Sequence, residues 1–323
     1  MRLKTKNKWK VPNKIMLVWK LIFQTIKDSV NDDVFKLSAA LSYYTIFSLA
    51  PLLIIIIRIS SLVYGKDAVE GKIFGQIRDF VGSDAALQIQ QALQHFHTAG
   101  GGYIMTIIGV LTLLIGATAV FNEIQHSVNM IWKIRAKPKK GILKLLVNRL
   151  LSFALIIGLC ILLIISLTID GLIQALNNRI NFNISFQNLD SVYFVNLILM
   201  FIVLTLLFGI IFKVLPDAKI TWKNVLAGAV VTAILFLIGK YFLSWYLSQN
   251  AAVNAYGAAG SLVLLLLWIY YSSVILFIGA EFTQVYALHS GKRIHPNKYA
   301  VFIDTKEIET RISPLEEEIK KIK

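Results

Sequence analysis

The sequence predicts an all-α, polytopic membrane protein with six transmembrane helices, an N-terminal interfacial amphipathic helix and a short helical outer loop. Two observations support this prediction: apolar runs of membrane-spanning length, and basic residues that alternate between the connections. A bilayer core about 30 Å thick requires roughly 20 apolar residues in an α-helix. Apolar residues make up 56% of the 323 residues. Six runs reach the required length: 37–63, 103–131, 150–176, 192–215, 225–247 and 256–288.

The distribution of Lys and Arg predicts the orientation of these runs. Nine basic residues precede residue 37, seven lie in 133–149, three in 213–223 and eight after residue 288. The other three connections carry only four basic residues in total. Because basic residues concentrate in cytoplasmic connections, both termini and the second and fourth connections are predicted to be cytoplasmic. Six crossings, an even number, fit that assignment.

The same pattern divides the chain into three parts. Residues 1–36 are predicted to be a cytoplasmic segment, 37–288 the transmembrane domain with an outer helical loop at 65–102, and 289–323 a charged cytoplasmic tail. Apolar residues recur at helical spacing in the first segment: Trp19, Ile22, Phe23, Ile26 and Val30. They predict an amphipathic helix that lies on the membrane interface or packs on the inner ends of the spans.

Composition and motifs argue against several function classes. The net charge of +15 would suit nucleic-acid binding. However, the basic residues are distributed as topology signals, so no nucleic-acid partner is expected. The sequence has no Gly-rich phosphate loop, nucleophile elbow, HExxH pair or CxxC pair. Cys160 is the single cysteine, and His95 and His97 have no acidic partner nearby in sequence. We therefore expect no enzymatic activity, metal or cofactor.

Ionisable residues inside the predicted spans are the main candidates for function, because charge is costly in hydrocarbon. Five residues qualify. The helical rise of about 1.5 Å per residue places Glu123 and Glu281 near the cytoplasmic ends of their spans. It places Arg58, Asp170 and Lys240 near the outer third. The candidate inner polar layer is Tyr43, Tyr44, Pro51, Glu123, Asn129, Tyr270 and Glu281. The candidate outer charged layer is Arg58, Asp170 and Lys240.

Helical spacing gives these residues defined faces. Glu123 continues a seam of small residues formed by Gly109, Thr112, Gly116 and Ala119, which would let another helix approach closely. The other two faces are Tyr270, Val274, Phe277, Glu281 and Gln284 on the sixth span, and Tyr44, Ser48, Pro51, Ile55 and Arg58 on the first. Pro51 should kink its helix. The structural alternatives are that the acids pair with basic residues at the inner ends and that Asp170 caps its span.

Several short motifs, in order, resemble the YihY / virulence factor BrkB-like family of bacterial inner-membrane proteins. They are Ala39-Ala40-Leu41-Ser42-Tyr43-Tyr44, Phe47-Ser48-Leu49-Ala50-Pro51, Asn129-Met130-Ile131-Trp132, Leu215-Pro216-Asp217, Trp268-Ile269-Tyr270 and Gly279-Ala280-Glu281. The resemblance runs from about residue 20 to 290. It implies a six-span cytoplasmic-membrane protein with no established enzymatic mechanism, formerly mislabelled ribonuclease BN. Links of the family to envelope integrity and lipid export imply transport.

The leading functional prediction is transport or export of a lipid or another amphiphilic solute in envelope maintenance. The expected partners are membrane lipids and an amphiphilic or anionic substrate. Asp170 can neutralise only one of Arg58 and Lys240, which predicts a residual positive site for a phosphate or carboxylate head group. A non-enzymatic scaffold for envelope proteins and an intramembrane hydrolase are the alternatives.

Overall fold

The computed structural model describes residues 14–48, 103–137, 189–249, 258–297 and 299–303. Most of these residues are helical, as predicted. The helices are α1 (Lys14–Asn31), α2 (34–48), α3 (Tyr103–Ile131), α4 (Leu189–Val214), α5 (Trp222–Gln249) and α6 (Ala258–His289). The strands are β1 (Ile134–Ala136), β2 (Ala218–Lys219), β3 (His295–Pro296) and β4 (Ala300–Phe302).

The four long helices α3 to α6 begin and end within three residues of the apolar runs that predicted them. Within the described ranges, two helical segments are long and apolar enough to cross a membrane, Trp222–Leu243 and Leu265–His289. The predicted span 150–176, most of the first span and the outer loop 65–102 lie outside the described residues. The helical, membrane-type part of the prediction is therefore confirmed.

Helix α6 occupies the centre of the described packing. It contacts α5, α1 and α3, and α5 also packs against α4. Large buried side chains from these helices form one apolar cluster, which includes Ile131, Trp132, Phe212, Val225 and Phe277. A residue on α6 is therefore surrounded by protein on more sides than a residue at the edge of the bundle.

The contact between α5 and α6 is a reciprocal pair of Gly and Thr residues. A Cβ at Gly228 would lie 2.9 Å from Thr283 Cβ, and a Cβ at Gly279 would lie 2.8 Å from Thr232 Cβ. Each Thr hydroxyl donates at 2.7 Å to the carbonyl of the Gly four residues earlier in its own helix. The hydroxyls are thus satisfied within each helix, and the two antiparallel backbones approach closely.

Two of the predicted helix faces meet at a second close contact. A Cβ at Gly116 of α3 would lie 2.8 Å from Ser48 Cβ on α2. Gly116 belongs to the predicted seam of small residues, and Ser48 belongs to the predicted face of the first span. The small residue at 116 therefore lets α2 and α3 come together, as expected for helix packing in membranes.

Four short strands lie where α3, α4 and α6 end and where α5 begins. Strand β1 pairs antiparallel with β4 through Ile134↔Phe302, and β2 pairs antiparallel with β3 through Ala218↔Pro296. Strand β1 follows α3, β2 connects α4 to α5, and β3 and β4 follow α6. We call the end of the bundle that contains β1 to β4 the strand end.

These strands are absent from the all-α prediction. They form because backbone N–H and C=O groups just beyond helix ends need partners. The segment after α6 supplies them: Asn297 N donates to Asp217 O at 2.9 Å, and Ile303 N donates to Lys133 O at 2.8 Å. The first part of the predicted charged tail is thus integrated into the fold.

Helix α1 has three distinct faces. Its buried face contains Leu21, Thr25 and Ser29, and α1 packs against α6. The adjacent face is apolar and exposed, and consists of Trp19, Ile22, Phe23, Ile26 and Val30. Lys20 and Lys27 are exposed on the remaining side. The helix therefore packs on the spans while its apolar face stays uncovered within the described structure.

Candidate functional site

The strand end contains two clusters of polar side chains. The first consists of Gln125, Asn129 and Asp217, and we call it the Asp217 cluster. Asn129 Nδ2 donates to Asp217 Oδ2 at 3.0 Å, and Asp217 N donates to Asn129 Oδ1 at 2.9 Å. Gln125 Nε2 also donates to Asp217 Oδ2, at 3.2 Å. The two hydrogen bonds between Asn129 and Asp217 connect the last turns of α3 to the connection between α4 and α5.

We expect Asn129→Ala to lower the stability of the folded protein by about 1–3 kcal/mol, because it removes two hydrogen bonds and leaves Asp217 undersatisfied. Asn129 is 7% exposed, so water replaces these bonds poorly. The thermal unfolding midpoint of the purified protein in detergent measures the effect. Asn122→Ala, at an exposed position on the same helix, is the matched control. Equal midpoints for Asn129→Ala and the wild type would contradict this role.

The second cluster, the Glu281 cluster, consists of Ser29, Glu281 and Gln284. Glu281 is 1% exposed although it is ionisable. Ser29 Oγ, Glu281 Oε2 and Gln284 Oε1 are all buried, and none has a hydrogen-bond partner within the described part of the chain. Such groups are costly to bury unpaired. This combination distinguishes the cluster from the satisfied Asp217 cluster.

Helix α1 and the end of α3 enclose the Glu281 cluster. Trp132 Nε1 donates to Ala280 O at 3.0 Å, which joins the end of α3 to α6 beside Glu281. Lys133 forms a salt bridge with Asp32 at the end of α1. Lys133 has a left-handed backbone with φ of 57°, and this conformation ends α3. The charged groups that interact electrostatically with Glu281 are Asp28, Asp32 and Lys133.

The two predicted acids of the inner layer differ in their surroundings. Glu123 is half-buried and accepts a hydrogen bond from Ser127 of its own helix, at 3.3 Å. Glu281 is fully buried and has no such bond among the described residues. The geometry therefore favours Glu281 over Glu123 as the functional acid.

The other inner-layer candidates are dispersed. Tyr43 and Tyr44 are exposed on α2, with ring centroids 5.7 Å apart. Tyr270 is half-buried on α6, and Asn129 belongs to the Asp217 cluster. Pro51 lies outside the described residues. The structure thus places Asn129 and Glu281 in separate clusters at the strand end, Tyr43 and Tyr44 on the exposed side of α2, and Tyr270 farther along α6.

The predicted outer layer stays a prediction. Lys240 is half-buried on α5 and interacts with a neighbouring group. Arg58 and Asp170 lie outside the described residues. Among the residues that the structure describes, no three His, Cys, Asp or Glu side chains are placed to hold a metal ion.

Several residues of the strand end were missed as site candidates. In the sequence, Asp217 stands out only as part of the Leu215-Pro216-Asp217 motif, and Gln284 stands out only as a member of the face that contains Glu281. Ser29 and Asn224 carried no sequence signal, since a lone Ser or Asn near a helix end is common. Asn224 is buried, and its Nδ2 donates to Lys292 O at 3.0 Å.

Comparisons with known proteins give the family of the chain. The sequence model of the virulence factor BrkB family matches residues 25–301, which extends past the predicted end of the resemblance into β4. A UPF0761 membrane protein of Mannheimia succiniciproducens is 28% identical over 77% of this chain and 83% of its own length. One from Alkalilimnicola ehrlichii is 26% identical over 79% of this chain.

The chain spans 56% of the length of the Alkalilimnicola relative. A third UPF0761 membrane protein, from Pasteurella multocida, is 31% identical over 57% of this chain and 55% of its own length. No solved structure matches the chain. Since the family match covers most of the sequence, and its relatives are named as membrane proteins, the chain belongs to the virulence factor BrkB family of membrane proteins.

Proposed function

We propose that this protein is a multi-pass cytoplasmic-membrane transporter that moves a lipid or another amphiphilic solute across or out of the membrane, without catalysing a reaction. The supporting observation is Glu281, an acid that is 1% exposed in a membrane-type helix and has an unpaired carboxylate oxygen within the described structure. Ionisable residues in spans usually mark pathways for substrates or ions. A purely structural acid would be expected to have a partner.

The strand end supports a six-span arrangement with this end in the cytoplasm. Helices α3 to α6 contain 29, 26, 28 and 32 residues, and each exceeds the roughly 20 residues that a crossing needs. Helices α3, α4 and α6 end there and α5 begins there, as alternating crossings require. Basic residues gather at the same end: Lys133, Arg135, Lys137, Lys213, Lys219, Lys223, Lys292 and Arg293.

Single-cysteine labelling tests this orientation. In a Cys160→Ser background, Lys219→Cys at the strand end is expected to be protected from an impermeant thiol reagent applied to intact cells. Asn183→Cys, in a predicted outward connection, is expected to react. The reason is the positive-inside bias of the connections. Labelling of Lys219→Cys from outside, with Asn183→Cys protected, would reverse the proposed topology.

The exposed apolar face of α1 supports contact with the inner leaflet. Large apolar side chains there lie beside Lys20 and Lys27, which is the composition of interfacial helices on anionic lipid. The same face supports the second candidate function, a membrane scaffold, because an envelope protein could cover it instead. The two functions differ in whether the purified protein alone moves lipid.

Reconstitution tests the proposed function. Wild-type protein in vesicles is expected to move fluorescent phosphatidylglycerol between leaflets or out of the vesicle faster than heat-unfolded protein does. An impermeant reductant that quenches only outward-facing label provides the rate, and fluorescent phosphatidylcholine shows whether an anionic head group is preferred. Equal rates for folded and unfolded protein would contradict transport and favour the scaffold.

A further inference from the structure

The Glu281 cluster consists of three side chains on α1 and α6, and each of them carries one buried oxygen atom without a hydrogen-bond partner in the described structure. These atoms are a carboxylate oxygen of Glu281, an amide oxygen of Gln284 and the hydroxyl oxygen of Ser29. Gln284 follows Glu281 by three residues, so both side chains share one face of α6. Ser29 lies on the buried face of α1, and α1 packs against α6. Asp28 and Asp32, which flank Ser29 in sequence, interact electrostatically with Glu281.

The hydroxyl of Ser29 is not engaged by its own helix. Thr25, one turn earlier on the same face, donates to Leu21 O at 2.8 Å. Thr283, one turn from Gly279 on α6, donates to Gly279 O at 2.7 Å. Such bonds normally satisfy a buried helical hydroxyl. Ser29 Oγ has no partner within the described residues, so its lone pairs remain open to a ligand at the α1–α6 contact.

The charges around Glu281 favour a cation. The charged groups that act on the Glu281 carboxyl are two carboxylates, those of Asp28 and Asp32, and one ammonium group, that of Lys133. Lys133 is already paired with Asp32, and Asp28 accepts hydrogen bonds from Gln24 at 2.8 Å. The described neighbours therefore leave net negative charge beside a buried carboxylate. Burial and the neighbouring carboxylates disfavour the ionised form of Glu281 unless a counter-charge is present, so a bound cation would stabilise that form.

We propose that the Glu281 cluster binds a small monovalent cation, for which Na⁺ is the probe, between α1 and α6. Hard cations prefer carboxylate, carbonyl and hydroxyl oxygens over nitrogen or sulfur. Asp28 and Asp32 have partners of their own, and Glu281 is the one carboxylate among the three groups without a partner, so a single positive charge matches the cluster. Because the ligands come from two helices, the cation holds α1 against α6. The inference deepens the proposed function, and the use of the cation to couple transport rests on that function.

Equilibrium binding of radioactive sodium to the full-length protein in nanodiscs tests the site, with choline replacing sodium at constant ionic strength. Wild-type protein is expected to bind sodium saturably, and Glu281→Gln is expected to lose this binding. Ser29→Ala and Gln284→Ala should weaken it by about tenfold or more, as loss of a ligand or its support does. Glu123→Gln is the matched control and should bind like the wild type.

Folded wild-type protein without saturable sodium binding overturns the proposal, as does wild-type affinity in Glu281→Gln. If Glu281→Gln fails to fold, a sodium affinity that is unchanged in both Ser29→Ala and Gln284→Ala would also overturn the proposal. Binding and flux are measured separately. If the protein binds sodium but moves no lipid, the proposed transport is contradicted and the proposed cation site still stands. If the protein moves lipid but binds no sodium, the proposed cation site is contradicted and the proposed transport still stands.

Discussion

Gly279→Ala is expected to destabilise the packing of α5 on α6 by about 1–3 kcal/mol, the usual cost of overpacking a tight contact. The new Cβ would overlap Thr232 Oγ1 and lie 2.8 Å from Thr232 Cβ. Thr232 cannot withdraw, because a β-branched side chain is short and restricted at χ1. The thermal unfolding midpoint, followed by size-exclusion chromatography after heating in detergent, is expected to fall.

Second-site changes make this prediction specific. Thr232→Gly removes the obstructing side chain and is expected to recover part of the lost stability of Gly279→Ala. Thr283→Gly is not expected to do so, because Thr283 contacts Gly228. Gly209→Ala is the matched control, since its Cβ would lie 3.8 Å from Ala229 Cβ. It should be neutral or stabilising by up to about 1 kcal/mol through helix propensity. Rescue of Gly279→Ala by Thr283→Gly, or a similar loss from Gly209→Ala, would contradict the reciprocal contact.

The long helices could be predicted from sequence because membrane thickness sets their length. Each apolar run is bounded by polar groups, and α3 extends over the predicted residues 103–131. Glu281 could be recognised because an ionisable side chain inside an apolar run is rare. Gly116 and Ser48 could be assigned to packing faces for a similar reason, since small residues at helical spacing indicate close approach.

The polar clusters could not be predicted, because they depend on which helices are neighbours. Glu123 and Glu281 carry the same side chain at similar depths, yet only Glu281 is fully buried. The difference arises because α6 is contacted by α1, α3 and α5. Likewise, strands of two or three residues have no recognisable period. Their positions become clear only when the connections meet at the strand end.

Glu281→Gln is expected to reduce transport about tenfold or more, which corresponds to about 1.4 kcal/mol or more of lost interaction with a charged ligand. Gln has nearly the same shape as Glu, so the close packing around residue 281 should survive. The substitution breaks no hydrogen bond in the described structure, since Glu281 Oε2 has no partner there. The folded fraction after purification, measured by size-exclusion chromatography, separates this effect from misfolding.

Glu123→Gln is the matched control for Glu281→Gln. It makes the same chemical change on α3, where Glu123 is half-buried and bonded to Ser127. We expect its transport rate to stay within about twofold of the wild-type rate, since a partly exposed charge contributes little. Equal losses in the two variants would show that both acids act together, as the sequence alone predicted.

Transport that depends on Glu281 is tested by the initial rate of lipid movement in vesicles. The vesicles contain equal amounts of folded wild-type, Glu281→Gln or Glu123→Gln protein. A rate clearly above the protein-free background is expected for the wild type and Glu123→Gln, and a rate close to that background is expected for Glu281→Gln. A folded Glu281→Gln protein that moves lipid at the wild-type rate would contradict the dependence on Glu281.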